Sequence, residues 1–300
     1  MNTGPVVLKL GGELIESPSW LEGVVAAIAA VVNGVTAAAG VAPERHGAAR
    51  SARVAGNDGE MERSAPLIVV HGGGREIDAA LKTAGIERRQ VDGLRVTDAA
   101  TLDVVVAVLA GTVNTRLVAA LNAAGVPAVG LTGADARCGV ANRAAAHRSV
   151  DGRTVNLGRV GVPSDRSDSR LLTALLRDGF VPVIASIGAG ETAELLNVNA
   201  DVFAADVASR LGARRLIVAG TTAGVLDDDG KTLRLLESSA MTEMVTSGAA
   251  TAGMIAKLRA CADALAGGVD DVLIVDGRDG SAIEGAAAGG VPAAATRLML

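Results

Sequence analysis

Short β-branched runs alternate with longer Ala/Leu-rich stretches from one end of this 300-residue chain to the other, and that rhythm restricts its fold most. The runs fall at 6–10, 67–70, 128–131, 181–185, 216–219, 272–275 and 293–298. Helix-like segments occupy 19–39, 75–84, 98–123, 168–178, 200–211, 240–247 and 252–266. Continuous apolar strands separated by helices predict an α/β chain: a mostly parallel central sheet covered on both faces, hence a three-layer αβα sandwich. Two glycine clusters, Gly11-Gly12 and Gly72-Gly73-Gly74, directly follow predicted strands, on the side where such sheets bind ligands.

Two segments break the rhythm. Residues 41–65 are polar and Gly-rich without period, and are expected to form a flexible surface insertion. Residues 136–162 alternate small apolar and polar residues around Gly139, Asp151-Gly152 and Gly158, which predicts β-hairpins. Five arginines against one acid in that stretch suit a lid over an anionic substrate or, equally, a solvated face. A division is expected near residue 180, into an N-terminal half (1–180) and a C-terminal half (181–300) with separate ligand sites.

Composition removes several classes of function. A net charge of −5 provides no field for nucleic acid or an anionic membrane, and three aromatics cannot form a base-stacking platform. Two cysteines and three histidines exclude a cysteine-rich zinc module and a disulfide framework, so no metal ligated by the protein is expected. Residues 24–43 carry no charge, but their Ala/Gly content fits a helix packed on a sheet better than a membrane span. The N-terminus has no basic, apolar and small-residue succession of a signal peptide. A cytoplasmic protein is expected.

Of the 28 cations only four are lysines. Lys82 and Lys231 fall on a helix face and in a turn, where solvated surface is a sufficient account. Lys9 lies inside an apolar strand, a costly position unless its charge meets an anion. Lys257 lies near the start of a predicted helix. Glycine turns after strands offer backbone N–H groups to oxyanions, although such pairs also serve as plain turns. The P-loop and Rossmann fingerprints are absent, as are a G-x-S-x-G elbow and H-E-x-x-H. His71, a lone histidine at a strand end, reads as a structural residue. Phosphate-binding loops with lysines and no general base suit phosphoryl transfer to a carboxylate, which is already ionised at neutral pH.

The runs Lys9-Leu-Gly-Gly12, His71-Gly-Gly-Gly74, Asp92-Gly-Leu-Arg95-Val-Thr97-Asp98, Asn197-Val-Asn199-Ala-Asp201 and Gly253-Met-Ile-Ala-Lys257 follow one another in order. Together they resemble the amino-acid kinase family over nearly the whole chain. Within it, the likeness is greatest to members that phosphorylate N-acetyl-L-glutamate in arginine biosynthesis. The resemblance implies ATP and Mg2+ as cofactors, with amino-acid substrate in the N-terminal half and nucleotide in the C-terminal half. It implies that Lys9 and Lys257 hold the moving phosphoryl group, Asp201 orients both, and Gly11 and Gly12 donate N–H groups. Gly73, Gly74, Arg95 and Asn197 would hold the acylated amino acid. Thr221 and Gly224, with Lys257, would meet the nucleotide, although Thr221 stands where the family often carries Asp.

Two other readings stay open: N-acetyl-L-aminoadipate as substrate, one methylene longer, or a catalytically silent amino-acid-binding regulator on the same fold. Arginine-inhibited relatives carry an extra N-terminal helix that interlaces dimers. Only Met1 to Pro5 precede the first strand, so a homodimer formed through the N-terminal half and insensitivity to arginine are expected.

Overall fold

The structure is a computed structural model. It describes residues 3–34, 66–149, 152–227, 229–247 and 252–300. Eight strands form the main sheet, in the order Leu235–Glu237, Ala295–Met299, Val272–Asp276, Arg215–Gly220, Val6–Leu10, Leu67–His71, Val181–Ala185, Ala128–Thr132. Six are mutually parallel; only the contact between Val272–Asp276 and Ala295–Met299 is antiparallel. The mostly parallel sheet expected from the alternation is therefore present.

Side chains alternate across a strand, and the sequence uses that period to build two cores. Val6, Leu8 and Leu10 enter one core with Val69, Val183, Ile217 and Leu273. Val7 enters the other with Ile68, Val70, Ile184, Val218 and Ile274. Helices Gly12–Glu16, Pro18–Val32, Gly74–Thr83 and Gly280–Ala287 and the helical segment Ala99–Ala123 cover the first face. Arg170–Arg177, Ala200–Arg210, Ser238–Ser247 and Ala252–Ala266 cover the second. Lys9, one step from Leu8 and Leu10, is thereby turned toward the second face.

Several boundaries differ from expectation. The helix expected over 19–39 ends at Val32, where Asn33 closes it and Gly34 takes φ +68°, a conformation glycine adopts without strain. The expected insertion at 41–65 lies outside the described residues. Two short helices, Gly12–Glu16 and Gly280–Ala287, escape sequence periodicity because they are too brief to develop it. The segment 98–123 is helical from Ala99 to Ala123, but Ala107–Val113 winds as a π-helix.

The described residues within 136–162 do form β structure. Ala141–Arg143 pairs antiparallel with Val160–Pro163, and His147–Arg148 with Thr154–Val155. The first pair joins Ile187–Ala189 and Leu195–Val198 in a four-stranded sheet beside the main one. Val181–Ala185, assigned by the expected boundary at 180 to the second half, is hydrogen-bonded between Leu67–His71 and Ala128–Thr132. The small sheet thus takes strands from both sides of residue 180, as does the main one.

Candidate active site

Lys9 is 7% exposed, and its Nζ lies 2.8 Å from Asp201 Oδ1. Asp201 occupies the first turn of the helix Ala200–Arg210, whose N-terminus favours negative charge. Asn199 caps that helix: its Oδ1 accepts from the backbone N–H groups of Asp201 and Val202 at 2.9 and 3.2 Å. Lys257 enters from the helix Ala252–Ala266, and a Cβ on Gly220 would stand 3.0 Å from its Nζ. Burial holds the Lys257 ammonium below its ordinary pKa; repulsion from Lys9 adds to this, and Asp201 opposes it. The structure therefore pairs Lys9 with Asp201 and places Lys257 near enough to feel the charge of both.

Glycine loops frame that charge cluster. Gly11 N–H donates to Ala219 O at 2.9 Å, and Gly72 N–H to Leu10 O at 3.5 Å, so each loop is fastened to a neighbouring strand. A Cβ on Gly12 would stand 2.7 Å from Gly73 Cα and 3.0 Å from the backbone nitrogens of Gly73 and Gly74. Only two bare backbones can approach this closely. Gly73 in turn packs on Leu109 of the π-helical segment, where a Cβ would stand 2.8 Å from Leu109 Cδ2.

Arg95 reaches the same end of the sheet from the strand Leu94–Arg95. Its Nη2 donates to Gly74 O at 3.2 Å and lies 2.5 Å from Asp78 Oδ1. Its Nη1 is buried and finds no hydrogen-bond partner among the described residues. Asn197 Nδ2 donates to Thr97 Oγ1 at 3.2 Å, and the two backbones are joined through Arg159, whose O accepts from Asn197 N–H and whose N–H donates to Thr97 O. Asp78, Thr97 and Asn199 were not among the expected site residues. Asn199 had a signal, an Asn two positions before an acid that opens a helix; Asp78 had none.

Thr221 does not stand free. Its Oγ1 donates to Glu13 Oε2 at 2.7 Å, and Glu13 Oε1 lies 2.6 Å from Arg75 Nη2. This chain of contacts joins the loop after Arg215–Gly220 to the residues following Gly12 and Gly74. The neighbouring Thr222 hydroxyl is buried, with no partner among the described residues. Gly224 has φ +73° and forms a tight turn, where a Cβ would stand 2.5 Å from Thr296 Oγ1.

His71 is fully buried beneath the loops. Its Nδ1 donates to Gly72 O at 3.0 Å, which leaves Nε2 to accept from Asn114 Nδ2 at 3.0 Å. Burial pushes its pKa down to about 4, so the ring is neutral and structural, as expected from its isolation. Among the described residues, no three His, Cys, Asp or Glu side chains are grouped to hold a metal ion.

Glycine loops at the strand ends, with Lys9, Lys257 and Asp201 beside them, suit the handling of a phosphoryl group, and the molecule is a kinase. A model of the amino acid kinase family matches residues 4–276, and the chain belongs to that family. It is 44% identical over 215 residues to an acetylglutamate kinase of Rhizorhabdus wittichii, covering 70% of this chain and 71% of the relative. The solved structure of smu.665 from Streptococcus mutans matches with a TM-score of 0.69 at 25% identity, over 92% of this chain and 96% of that one. The N-acetylglutamate synthase of Neisseria gonorrhoeae, solved with coenzyme A and N-acetyl-glutamate, shares the fold. Its TM-score is 0.75 at 21% identity, over all of this chain and 60% of that one.

Proposed function

We propose that this chain transfers the γ-phosphoryl group of ATP to the side-chain carboxylate of N-acetyl-L-glutamate, the acyl-phosphate-forming step of arginine biosynthesis. One observation carries the reading: Lys257, buried and repelled by Lys9, stands near the Lys9–Asp201 ion pair at the ends of two glycine loops, a surplus of positive charge among these three groups. Such a surplus is stabilised by an anion arriving between the lysines. The names of the similar curated relatives agree with this reading.

The residues divide the work as follows. Lys9 and Lys257 offset charge on the transferring group, and Asp201 holds Lys9 in place. Gly11 and Gly12 present N–H groups to the phosphoryl, and Gly73 and Gly74 present theirs to the acylated amino acid. Arg95 offers its unpartnered Nη1 to the substrate α-carboxylate, and Asn197, bonded to Thr97 two residues after Arg95, offers its amide to the same substrate. A carboxylate acceptor needs no base, which agrees with a neutral, buried His71. Catalysis is then alignment and charge compensation.

The nucleotide fits the other side of Lys257, where Thr221, Gly224 and the unpartnered Thr222 hydroxyl line the turn after Gly220. With no acidic cluster among the described residues, Mg2+ would be held by the nucleotide phosphates, where it neutralises β- and γ-oxygen charge.

The amino-acid site belongs to the N-terminal side of the sheet and the nucleotide site to the C-terminal side, with the 136–162 hairpins as a lid. We also infer a homodimer formed through the N-terminal side. The Ala99–Ala123 segment is long and apolar enough to cross a membrane by composition alone, yet its Leu102, Val105, Leu109, Leu117 and Leu121 are buried within this chain. A second copy would cover the rest. Two buried free thiols, Cys138 and Cys261, suit a cytoplasmic setting.

ADP release with N-acetylglutamate, N-acetylaminoadipate and free glutamate at equal concentration tests the substrate. Turnover is expected to be fastest with N-acetylglutamate, and turnover with free glutamate alone would overturn the assignment.

A further inference from the structure

Gly12 and Gly73 meet through bare backbone, yet no backbone hydrogen bond joins Gly11–Gly12 to Gly72–Gly74 among the described residues. The ties lie in the helices that follow the two loops. Glu16 is the last residue of the helix Gly12–Glu16, and its Oε1 accepts from the backbone N–H of Glu76 at 3.2 Å. The helix Gly74–Thr83 has no capping side chain of its own at Gly73, so Glu16 satisfies one of its free N–H groups from 60 positions away. The carboxylate of Glu76 accepts in turn from Arg116 Nη1, at 3.4 Å, and from Arg116 Nη2. Arg116 Nη2 also donates to Ile15 O at 3.3 Å. The contacts close a ring from Glu16 to Glu76, on to Arg116, and back to Ile15.

Arg116 is itself anchored. Two residues earlier, Asn114 Nδ2 donates to Val183 O of the main sheet at 2.9 Å, where the π-helical segment Ala107–Val113 passes into the helix Asn114–Ala123. Arg116 Nε is buried and has no partner among the described residues, so the guanidinium is turned to the two helices and not to its own full hydrogen bonding. A second tie between those helices runs from Glu13 to Arg75. The Arg75 side chain is 70% exposed, and an ion pair so open to water contributes little.

We propose that Arg116 is a positioning residue that fixes the separation of the two glycine loops, and through it the length of amino-acid side chain that the kinase phosphorylates. The proposal rests on the reading of Gly11 and Gly12 as the phosphoryl loop and of Gly73 and Gly74 as the loop for the acylated amino acid. On that reading the substrate spans from one loop to the other, and its acceptor oxygen must end beside the phosphoryl group. A fixed separation then suits one chain length. A methylene more or less displaces the acceptor oxygen, and a misplacement of about 1 Å can cost about a hundredfold in rate. Arg116 bonds to the helices behind the loops, so it acts through them.

The test measures kcat/KM for the N-acetyl derivatives of L-aspartate, L-glutamate and L-aminoadipate in the full chain with MgATP. The wild type is expected to favour N-acetylglutamate at least tenfold over each neighbour. Arg116→Met keeps the apolar stem and removes every donor, and its glutamate-to-aminoadipate ratio should fall at least fivefold. Arg116→Lys should hold the ratio within threefold of the wild type, because one nitrogen, Nη2, already reaches both Ile15 and Glu76. A ratio of two substrates in one protein is unmoved by loss of folded enzyme, so a merely structural role would leave it unchanged. An unchanged ratio in Arg116→Met, or a lysine variant as unselective as the methionine one, overturns the proposal. A wild type without preference among the three also overturns it, while leaving the kinase assignment intact. No turnover with any of the three overturns the reading of the site itself. Should Arg116→Met not fold, Glu76→Gln weakens the same bridge from its other end and is held to the same fall in ratio.

Discussion

Thr221 donates a 2.7 Å hydrogen bond to Glu13, joining the loop after Gly220 to the residue that follows Gly12. Glu13 thereby supplies a carboxylate beside Thr221. Thr221→Asp would set two carboxylates within hydrogen-bonding distance, where like charges cannot both ionise without cost. Its KM for ATP should rise at least tenfold, and Glu13→Gln in the same chain should restore most of the loss. A double-mutant cycle on KM measures the coupling; strictly additive effects would contradict it.

Lys257 gives a prediction in pH. In the free enzyme its ammonium is destabilised by burial and by Lys9, so it loses its proton at lower pH than an ordinary lysine. Nucleotide phosphates between the lysines would raise that pKa again. The alkaline fall of kcat/KM, which reports the free enzyme, should therefore come at lower pH than the alkaline fall of kcat. Lys257→Ala should lower kcat by about 10²–10³ with the melting temperature little changed. Coincident alkaline limbs in the two profiles would argue against this account.

His71 links stability to acid. The unfolded chain binds this proton near the ordinary histidine value of 6.5, whereas the folded chain resists until about pH 4. Between those values the unfolded state holds more protons, so stability falls as pH falls, by up to about 3 kcal/mol from this group once pH is below 4. Urea unfolding from pH 7 to 4.5 should show the decline in the wild type and a flatter dependence in His71→Gln. Equal slopes in both proteins would place the acid sensitivity elsewhere.

Gly12→Ala should be far more damaging than its size suggests. The new methyl would meet the backbone of Gly73 at 2.7 Å, and neither loop has a side chain that can swing aside. A loss of about 1–3 kcal/mol in stability is expected, with kcat reduced by at least two orders of magnitude as the two loops separate. Gly74→Ala, whose Cβ would meet nothing within 4 Å, should keep its stability. Thermal melts of both variants make the comparison; equal melting temperatures would contradict the close approach of the loops.

Much of this architecture was legible because its signals are local. The strand Val6–Leu10 announces itself by a continuous apolar run, and Lys9 by being the one charge within it. The glycine loops and Asp201 follow from motif order. What escaped notice depends on distant contacts: nothing in the sequence near Asp78 says that Arg95 will meet it, nor does Glu13 reveal a partner 208 positions away. The small sheet was foreseen only as hairpins, because Ile187–Ala189 is three residues long and takes its place from a neighbour rather than from its own pattern. Gly280–Ala287 was missed because two glycines in eight residues weaken helix propensity; its cap, Asp279 to Ser281, was the available clue.

The central sheet runs unbroken through Val6–Leu10, which is hydrogen-bonded to both Leu67–His71 and Arg215–Gly220. The two halves share this sheet among the described residues, so neither is a self-contained unit. A fragment ending at residue 180 would keep Leu67–His71 but lose its neighbour Val181–Ala185, and would strip Val6–Leu10 of Arg215–Gly220. Both would become bare apolar strand edges, the kind of surface that recruits other chains. Because the strand that carries Lys9 is held from both sides, the scaffold must be synthesised whole before the loops around Lys9 can form.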